Sequence, residues 1–384
     1  MRFLLAHGPN LDLLGSRSPE VYGTATLPDL EADAAEAASR LGAELTTFQT
    51  NHEGDLIERL HAARGEVDGI VLNAGAWTHT SYAIRDAIEA IEVPTVEVHL
   101  SNVLERESFR RHSVLADVCI HAIYGRGGAG YANALGRLHA HLTHAPEVHR
   151  YGPHADQLLE LRLPSGGGPH PAAVLLHGGF WRHHWLRDTL DPIALDLPQY
   201  GVASVNAEYR RVGAGGGGTA TLEDVRTAIA TTAELPGVDP DRLVVIGHSA
   251  GGQLALWAAS RAGAATPIRL AASLAGVTDL DRGRLDRLGD GAVDAFLGGI
   301  DTSPFSPISL LPLGTPSLCV HGTEDEVVPV DYSERFVDAA TVAGDTTELI
   351  VGDGDDHFAP IEPSHRLWHA TRSRVVAALG RSTT

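Results

Sequence analysis

The sequence predicts two α/β units in tandem, each built on a parallel or largely parallel sheet. Three observations carry this reading. Short apolar runs alternate with amphipathic stretches through residues 2–143, the alternation restarts near residue 156, and the residues between break it with two prolines and a glycine. At 384 residues, 43% hydrophobic and 20% charged, the chain is long enough for two cores and too apolar for disorder.

In the first unit RFLLAHG, AELTTFQ, DGIVLNA, PTVEVHL and VCIHAIYG read as strands. LPDLEADAAEAASRLG, GDLIERLHAARG, SYAIRDAIEAI and YANALGRLHAHL read as the helices between and after them, with the short NVLERESFR following the fourth strand. Strands alternating with helices give a parallel sheet covered on both faces, and five strands in this length fit a flavodoxin-like fold. Residues 144–155, HAPEVHRYGPHA, read as the linker. Its histidines, with His139 and His141, lack ligand spacing to carboxylates or cysteines and are expected to be solvated rather than metal-bound. Residues 156–384 form the second unit, with strands expected at LLELRLP, AAVLLHGG, VASVNAEYR, RLVVIGH, LAASLAG, SLCVHG and ELIVGD and a last helix near 363–379. The run GAGGGG at 213–218 reads as a flexible surface loop, because no Lys-Ser or Lys-Thr follows to make it a phosphate cradle.

Composition narrows the function. The net charge is −20, with 12 arginines against 20 acids in residues 1–150 and 17 against 29 in the rest, so neither half attracts nucleic acid or an anionic membrane. All 29 basic residues are arginine, which excludes a lysine Schiff base and a P-loop lysine. Cys119 and Cys319 lie in apolar runs and read as buried thiols, not nucleophiles or ligands. No apolar run reaches the length of a membrane span and MRFLLAHGPN lacks the form of a secretory leader, so the expected location is cytoplasmic.

In a parallel sheet, ligands bind beyond the carboxyl ends of the strands. Polar residues gather there: Asn10 after the first strand, Asn73 and His79 in NAGAWTHTS after the third, and Glu97, His99, Ser101 and Asn102 in EVHLSN after the fourth, followed by Arg106 and Arg110 at i, i+4 spacing. GPNLDLLGSRSPEVYG, QTNHEG, NAGAWTHTS, EVHLSN and RESFRRHS, in this order, closely resemble type II 3-dehydroquinate dehydratase, over essentially all of residues 1–143. The resemblance implies a flavodoxin-like fold, a dodecamer of trimers, no metal or cofactor, and loss of water from 3-dehydroquinate through an enolate. By position it implies Tyr22 as the base, Arg17 as the cation that stabilises its phenolate, Asn10 on the enolate oxygen or water, and His99, oriented by Glu97, as the proton donor. A cation close to a tyrosine in a water-poor site lowers its pKa by roughly one to three units, which is what makes the phenol usable. Asn73, His79, Arg110 and the backbone at Leu100 and Ser101 would hold substrate, and Asp86 is the expected substrate-side contact at a subunit interface. His7 stands where the family has asparagine and is expected to lie behind the chemistry. Arg126 replaces an apolar residue, which bears on assembly.

The second constellation centres on GHSAG, residues 247–251, after the strand RLVVI and before the helix QLALWAAS, the context of a nucleophile elbow with Ser249 at its apex. HGGFW at 177–181 supplies glycines that let backbone N–H groups, from Gly178 and Gly179 with that of Ala250, meet an oxyanion. Asp325 in HGTEDEVVP and His357 in GDDHF complete the order Ser, Asp, His, with Glu324 and Asp356 as rival acids. These residues resemble an α/β-hydrolase of the carboxylesterase and kynurenine-formamidase type. His177, His248 and His321 are expected to be structural, and Trp181 to pack or line the acyl pocket. The whole reads as a bifunctional enzyme acting on small molecules, a dehydratase fused to a serine hydrolase of an ester or aryl formamide. One rival reading is that a single unit is catalytic and the other an oligomerisation module. A link through quinate-type esters would give the fusion a shared pathway.

Overall fold

The computed structural model describes residues 1–16, 24–103, 106–260 and 266–380. The chain divides into two units, Met1–Ala145 and Pro146–Thr384.

In the first unit the strands are β1 (Arg2–His7), β2 (Glu44–Gln49), β3 (Gly69–Asn73), β4 (Thr95–His99) and β5 (His121–Tyr124). They pair in the order β2-β1-β3-β4-β5, every pair parallel, which is the flavodoxin-like order expected. Helices α1 (Leu27–Arg40), α2 (Glu53–Ala63), α3 (Tyr82–Ile91) and α4 (Ala129–Thr143) cover the sheet. β1 shows why both faces are covered: Phe3 and Leu5 pack with α1 and α4, while Leu4 and Ala6 pack with α2 and α3. α1 starts at a reciprocal cap in which Thr26 and Asp29 bond each other's backbone, with Pro28 in the first turn.

The second unit holds β6 (Glu147–Arg150), β7 (Leu158–Arg162), β8 (His170–Leu176), β9 (Ala203–Glu208), β10 (Val238–His248), β11 (Ala271–Leu274), β12 (Ser317–Gly322) and β13 (Thr347–Gly352). The order is β13-β12-β11-β10-β8-β9-β7-β6, antiparallel where β7 meets β6 and β9 and parallel elsewhere. Its helices are α5 (Asp191–Asp196), α6 (Gly218–Thr232), α7 (Ala250–Ala259), α8 (Leu280–Leu285), α9 (Leu288–Leu297), α10 (Asp331–Val342) and α11 (Arg366–Ala378). The alternation on β8 repeats the rule: Val174 and Leu176 enter one core, Ala173 and Leu175 the other.

Two expectations need correction. The stretch read as a linker contains β6, whose four residues pair with β7. The glycine run is also no loose loop: the N–H groups of Ala214 and Gly216 donate to the Arg211 carbonyl at 2.9 Å, and a Cβ on Gly216 would stand 2.2 Å from the Arg210 carbonyl carbon. Glycine is required there by close approach of backbone to backbone.

Candidate active sites

The first cleft lies beyond the carboxyl ends of β1, β3 and β4 and is lined by Asn10, Asn73, His79, His99, Leu100, Ser101, Arg106 and Arg110, among others. Glu97 is buried behind His99, 1% exposed, and its carboxylate accepts from His99 Nε2 at 2.6 Å and from Ser113 Oγ at 2.8 Å. A buried carboxylate needs such donors, and these fix the imidazole ring in turn. His79 is set differently: its Nδ1 donates to the His112 carbonyl at 2.7 Å, and its ring stacks on His99 at 6.1 Å. Burial draws the His79 imidazole below its ordinary value, opposed by the His112 carbonyl and assisted by the neighbouring His99 and Arg110.

Asn10 adopts a left-handed conformation, φ 64°, and its N–H donates to Asn51 Oδ1 at 2.7 Å. Asn73 Nδ2 donates to the Tyr131 hydroxyl at 2.9 Å, and its Oδ1 accepts from the Gly75 N–H at 3.3 Å. Behind them His7 is fully buried, with Nδ1 3.3 Å from that hydroxyl and Nε2 3.5 Å from Glu31. Burial pushes His7 down to about 4. Arg110 is braced by Glu107 at 3.1 Å. Asp86 does not join the cleft: it lies on the exposed face of α3 beside Arg85, at 3.4 Å. Arg17 and Tyr22 lie outside the described residues. Ser113 and Tyr131 were not singled out in the sequence, although Ser113 closes the RESFRRHS motif and signals itself there.

The second pocket is lined by Gly178, Gly179, Phe180, Trp185, Thr189, His248, Ser249, Val327, His357 and Phe358 around a cavity of about 260 Å³. Ser249 has φ 56° and ψ −119° between β10 and α7, a strained apex. The flanking glycines are obligatory. A Cβ on Gly247 would lie 1.8 Å from the Gly251 oxygen, and one on Gly251 would lie 2.0 Å from the Leu176 oxygen. Ala250 opens α7, so its N–H stands at a helix start. Gly178 passes so close that an added Cβ would be 2.8 Å from Ser249 Cβ, which puts the backbone of this loop against the serine.

Asp325 Oδ2 accepts from His357 Nδ1 at 2.6 Å, and Oδ1 accepts from the N–H groups of Val327 and Val328 at 2.8 Å. Burial pulls the Asp325 carboxyl upward, but hydrogen bonds from His321 and His357, the charge of His357 and the Val328 N–H outweigh it, holding the group well below the usual carboxylate range. Both rivals are exposed, and Asp356 caps the N–H groups of Phe358 and Ala359 instead. His321 braces Asp325 at 3.0 Å from behind. His248 Nε2 faces the His357 carbonyl at 2.9 Å, and burial together with His357 lowers it to about 3. Trp181 packs rather than lining the pocket, fully buried and stacked on Phe296 at 4.5 Å. His177 lies between the Gly178 carbonyl and Glu208, each at 2.9 Å, with Arg211 and Arg187 also on Glu208. Burial pushes the Cys319 thiol up to about 12, which suits a packing residue and not a nucleophile.

Among the described residues no helix is long and apolar enough to cross a membrane, and no group of three or more His, Cys, Asp or Glu could hold a metal ion. A model of the class II dehydroquinase family matches residues 1–139, and one of the prolyl oligopeptidase family matches residues 199–375. The 3-dehydroquinate dehydratase of Dinoroseobacter shibae is 53% identical over 145 residues, 38% of this chain and 97% of that protein. The catabolic 3-dehydroquinase of Verticillium alfalfae is 52% identical over 134 residues, 35% of this chain and 89% of its own length. A butyrate-bound thermophilic esterase from Thermogutta terrifontis shares its fold with 61% of this chain and 94% of its own, at TM-score 0.52 and 23% identity. Through its first unit the chain belongs to the class II dehydroquinase family, and it joins that 3-dehydroquinate dehydratase domain to a serine-hydrolase-type domain of the α/β-hydrolase fold.

Proposed function

We propose that Tyr22, as a phenolate stabilised by Arg17, removes the proton alpha to the ketone of 3-dehydroquinate. The enolate oxygen rests on Asn10 or a water it holds. His99, with Nε2 bound to Glu97, passes a proton from Nδ1 to the departing hydroxyl, so that one water leaves and 3-dehydroshikimate forms. Asn73, His79, Arg110 and the backbone of Leu100 and Ser101 hold hydroxyls and carboxylate. The observation that carries this reading is the buried Glu97 and His99 pair, 2.6 Å apart, in a cleft edged by arginines. Asp86 and the exposed Tyr82 share one face of α3, in keeping with a subunit contact in a trimer or dodecamer.

In the second domain Ser249 attacks a carbonyl, His357 takes its proton, Asp325 holds the imidazole, and the N–H groups of Gly178, Gly179 and Ala250 receive the oxyanion. The substrate class follows from charge. The pocket's described lining has no carboxylate and no arginine, so a peptide bearing a free amino terminus would bury an unpaired ammonium. Neutral esters, and the aryl formamides that share their polarity, meet no such penalty. The test is turnover of 3-dehydroquinate, a p-nitrophenyl ester, an N-formyl aryl amide and a dipeptidyl anilide by one purified chain. Preference for the anilide over the ester would overturn the hydrolase assignment, and absence of dehydration would overturn the first.

A further inference from the structure

The loop bearing Gly178 and Gly179 continues through Phe180 and Trp181, two non-glycine residues at positive φ, 52° and 56°. L side chains leave that region unless their neighbours hold them. Trp181 is held by its stack on Phe296, by Nε1 donating to Gln253 Oε1 at 3.1 Å, and by its carbonyl accepting from the Val212 N–H at 2.8 Å. Arg182 Nη2 donates to the Gly289 carbonyl. That carbonyl belongs to an unusual turn near the start of α9, where Gly289, Asp290 and Gly291 are all left-handed, with φ of 56°, 54° and 81°.

Phe180 rests its ring directly on Gly289, where an added Cβ would stand 2.7 Å from the ring's Cγ, while the same residue lines the pocket with Ser249 and His357. Backbone conformation does not by itself demand glycine at 289, because Asp290 takes the same angles with a full side chain. The contact does demand it. We propose that Gly289 is a specificity-determining residue of the hydrolase: the space left by its missing side chain sets how far the Phe180 ring stands back from Ser249, and so the length of acyl group the pocket takes. This rests on the ester-hydrolase reading above. A bulkier residue at 289 drives the ring into the pocket and penalises long acyl groups more than short ones.

The experiment is kcat and KM for p-nitrophenyl acetate, butyrate and hexanoate with the full chain. In Gly289→Ala the hexanoate-to-acetate ratio of kcat/KM falls about tenfold or more, the scale of a misfit of one or two methylenes in an apolar pocket, and adding Phe180→Leu restores it. An equal loss on all three esters, or an unchanged ratio, overturns the proposal. Should Gly289→Ala fail to fold, Phe180→Ala alone decides: the ratio rises if the ring limits the pocket, and a constant ratio overturns the idea. A parent chain inactive on every ester would instead defeat the ester-hydrolase reading itself.

Discussion

The dehydratase cleft and the hydrolase pocket occupy equivalent places beyond the carboxyl ends of parallel strands, yet they prepare their reacting groups in opposite ways. The cleft is assembled from side chains holding side chains: Ser113 on Glu97, Glu97 on His99, Tyr131 on Asn73, Glu107 on Arg110. In the pocket, Ser249 and the Gly178–Gly179 loop are set by backbone, with Ser249 at φ 56° between two glycines that admit no Cβ. The cleft is also lined by Arg106 and Arg110, whereas among the described residues the only titratable groups lining the pocket are His248 and His357. A site of the first kind fails when a polar partner is lost. One of the second kind fails when an atom is added.

The comparison can be broken at its strongest point by Ser249→Ala, which should lower ester hydrolysis about 10⁴-fold or more and abolish labelling by a fluorophosphonate while dehydration continues. Persistent labelling would mean another nucleophile. Tyr22→Phe should lower dehydration by about 10²- to 10⁴-fold with ester hydrolysis intact, because the ring stays and the base goes; unchanged dehydration in steady-state assays would remove Tyr22 from the mechanism. Arg17→Lys should cost nearly as much, since a point charge does not reproduce the guanidinium fork beside a phenolate. An unaffected kcat/KM would make Arg17 a surface residue.

The smallest effect is on stability. His7 is lowered from 6.5 to about 4 by burial, so between those values the unfolded chain binds a proton that the folded one refuses. The contribution of His7 to stability is therefore complete above about pH 6.5 and is lost as pH falls toward 4, by up to about 3 kcal/mol. His7→Asn should flatten that slope, read as the urea concentration at which dehydratase activity is lost at pH 5 and at pH 7. A slope equal to the parent's would show that His7 is not its source.

Motifs with a local cause were legible in the sequence. Glycines around Ser249 announce a crowded turn, and strand-end asparagines and histidines announce a rim, so both sites and both sheets could be placed from short stretches. What was not legible depends on distant partners. EVHR offers no alternating apolar pattern between Pro146 and Gly152, and its role as β6 comes only from pairing with β7. Glu160, Arg162, Glu208 and Arg211 look like the solvated side of strands, yet all are buried, because Arg187 and His177 arrive from other segments to meet the carboxylates. The need for glycine at 289 is equally silent, since an added Cβ there would meet the ring of Phe180, which comes from a distant segment. Asp86, expected at a subunit interface, lies exposed on α3 beside Arg85.

β6 fixes where the two activities can be cut apart. It is short, carries Glu147, His149 and Arg150, and occupies the rim of the second sheet, so it shields the hydrogen-bonding groups of β7 behind a polar strand unsuited to recruiting another. A hydrolase begun at residue 156 would present β7 bare and invite sheet-to-sheet aggregation, whereas one begun before Glu147 keeps its shield. α4 ends at Thr143, so the seam between the two units is the tripeptide His144, Ala145, Pro146.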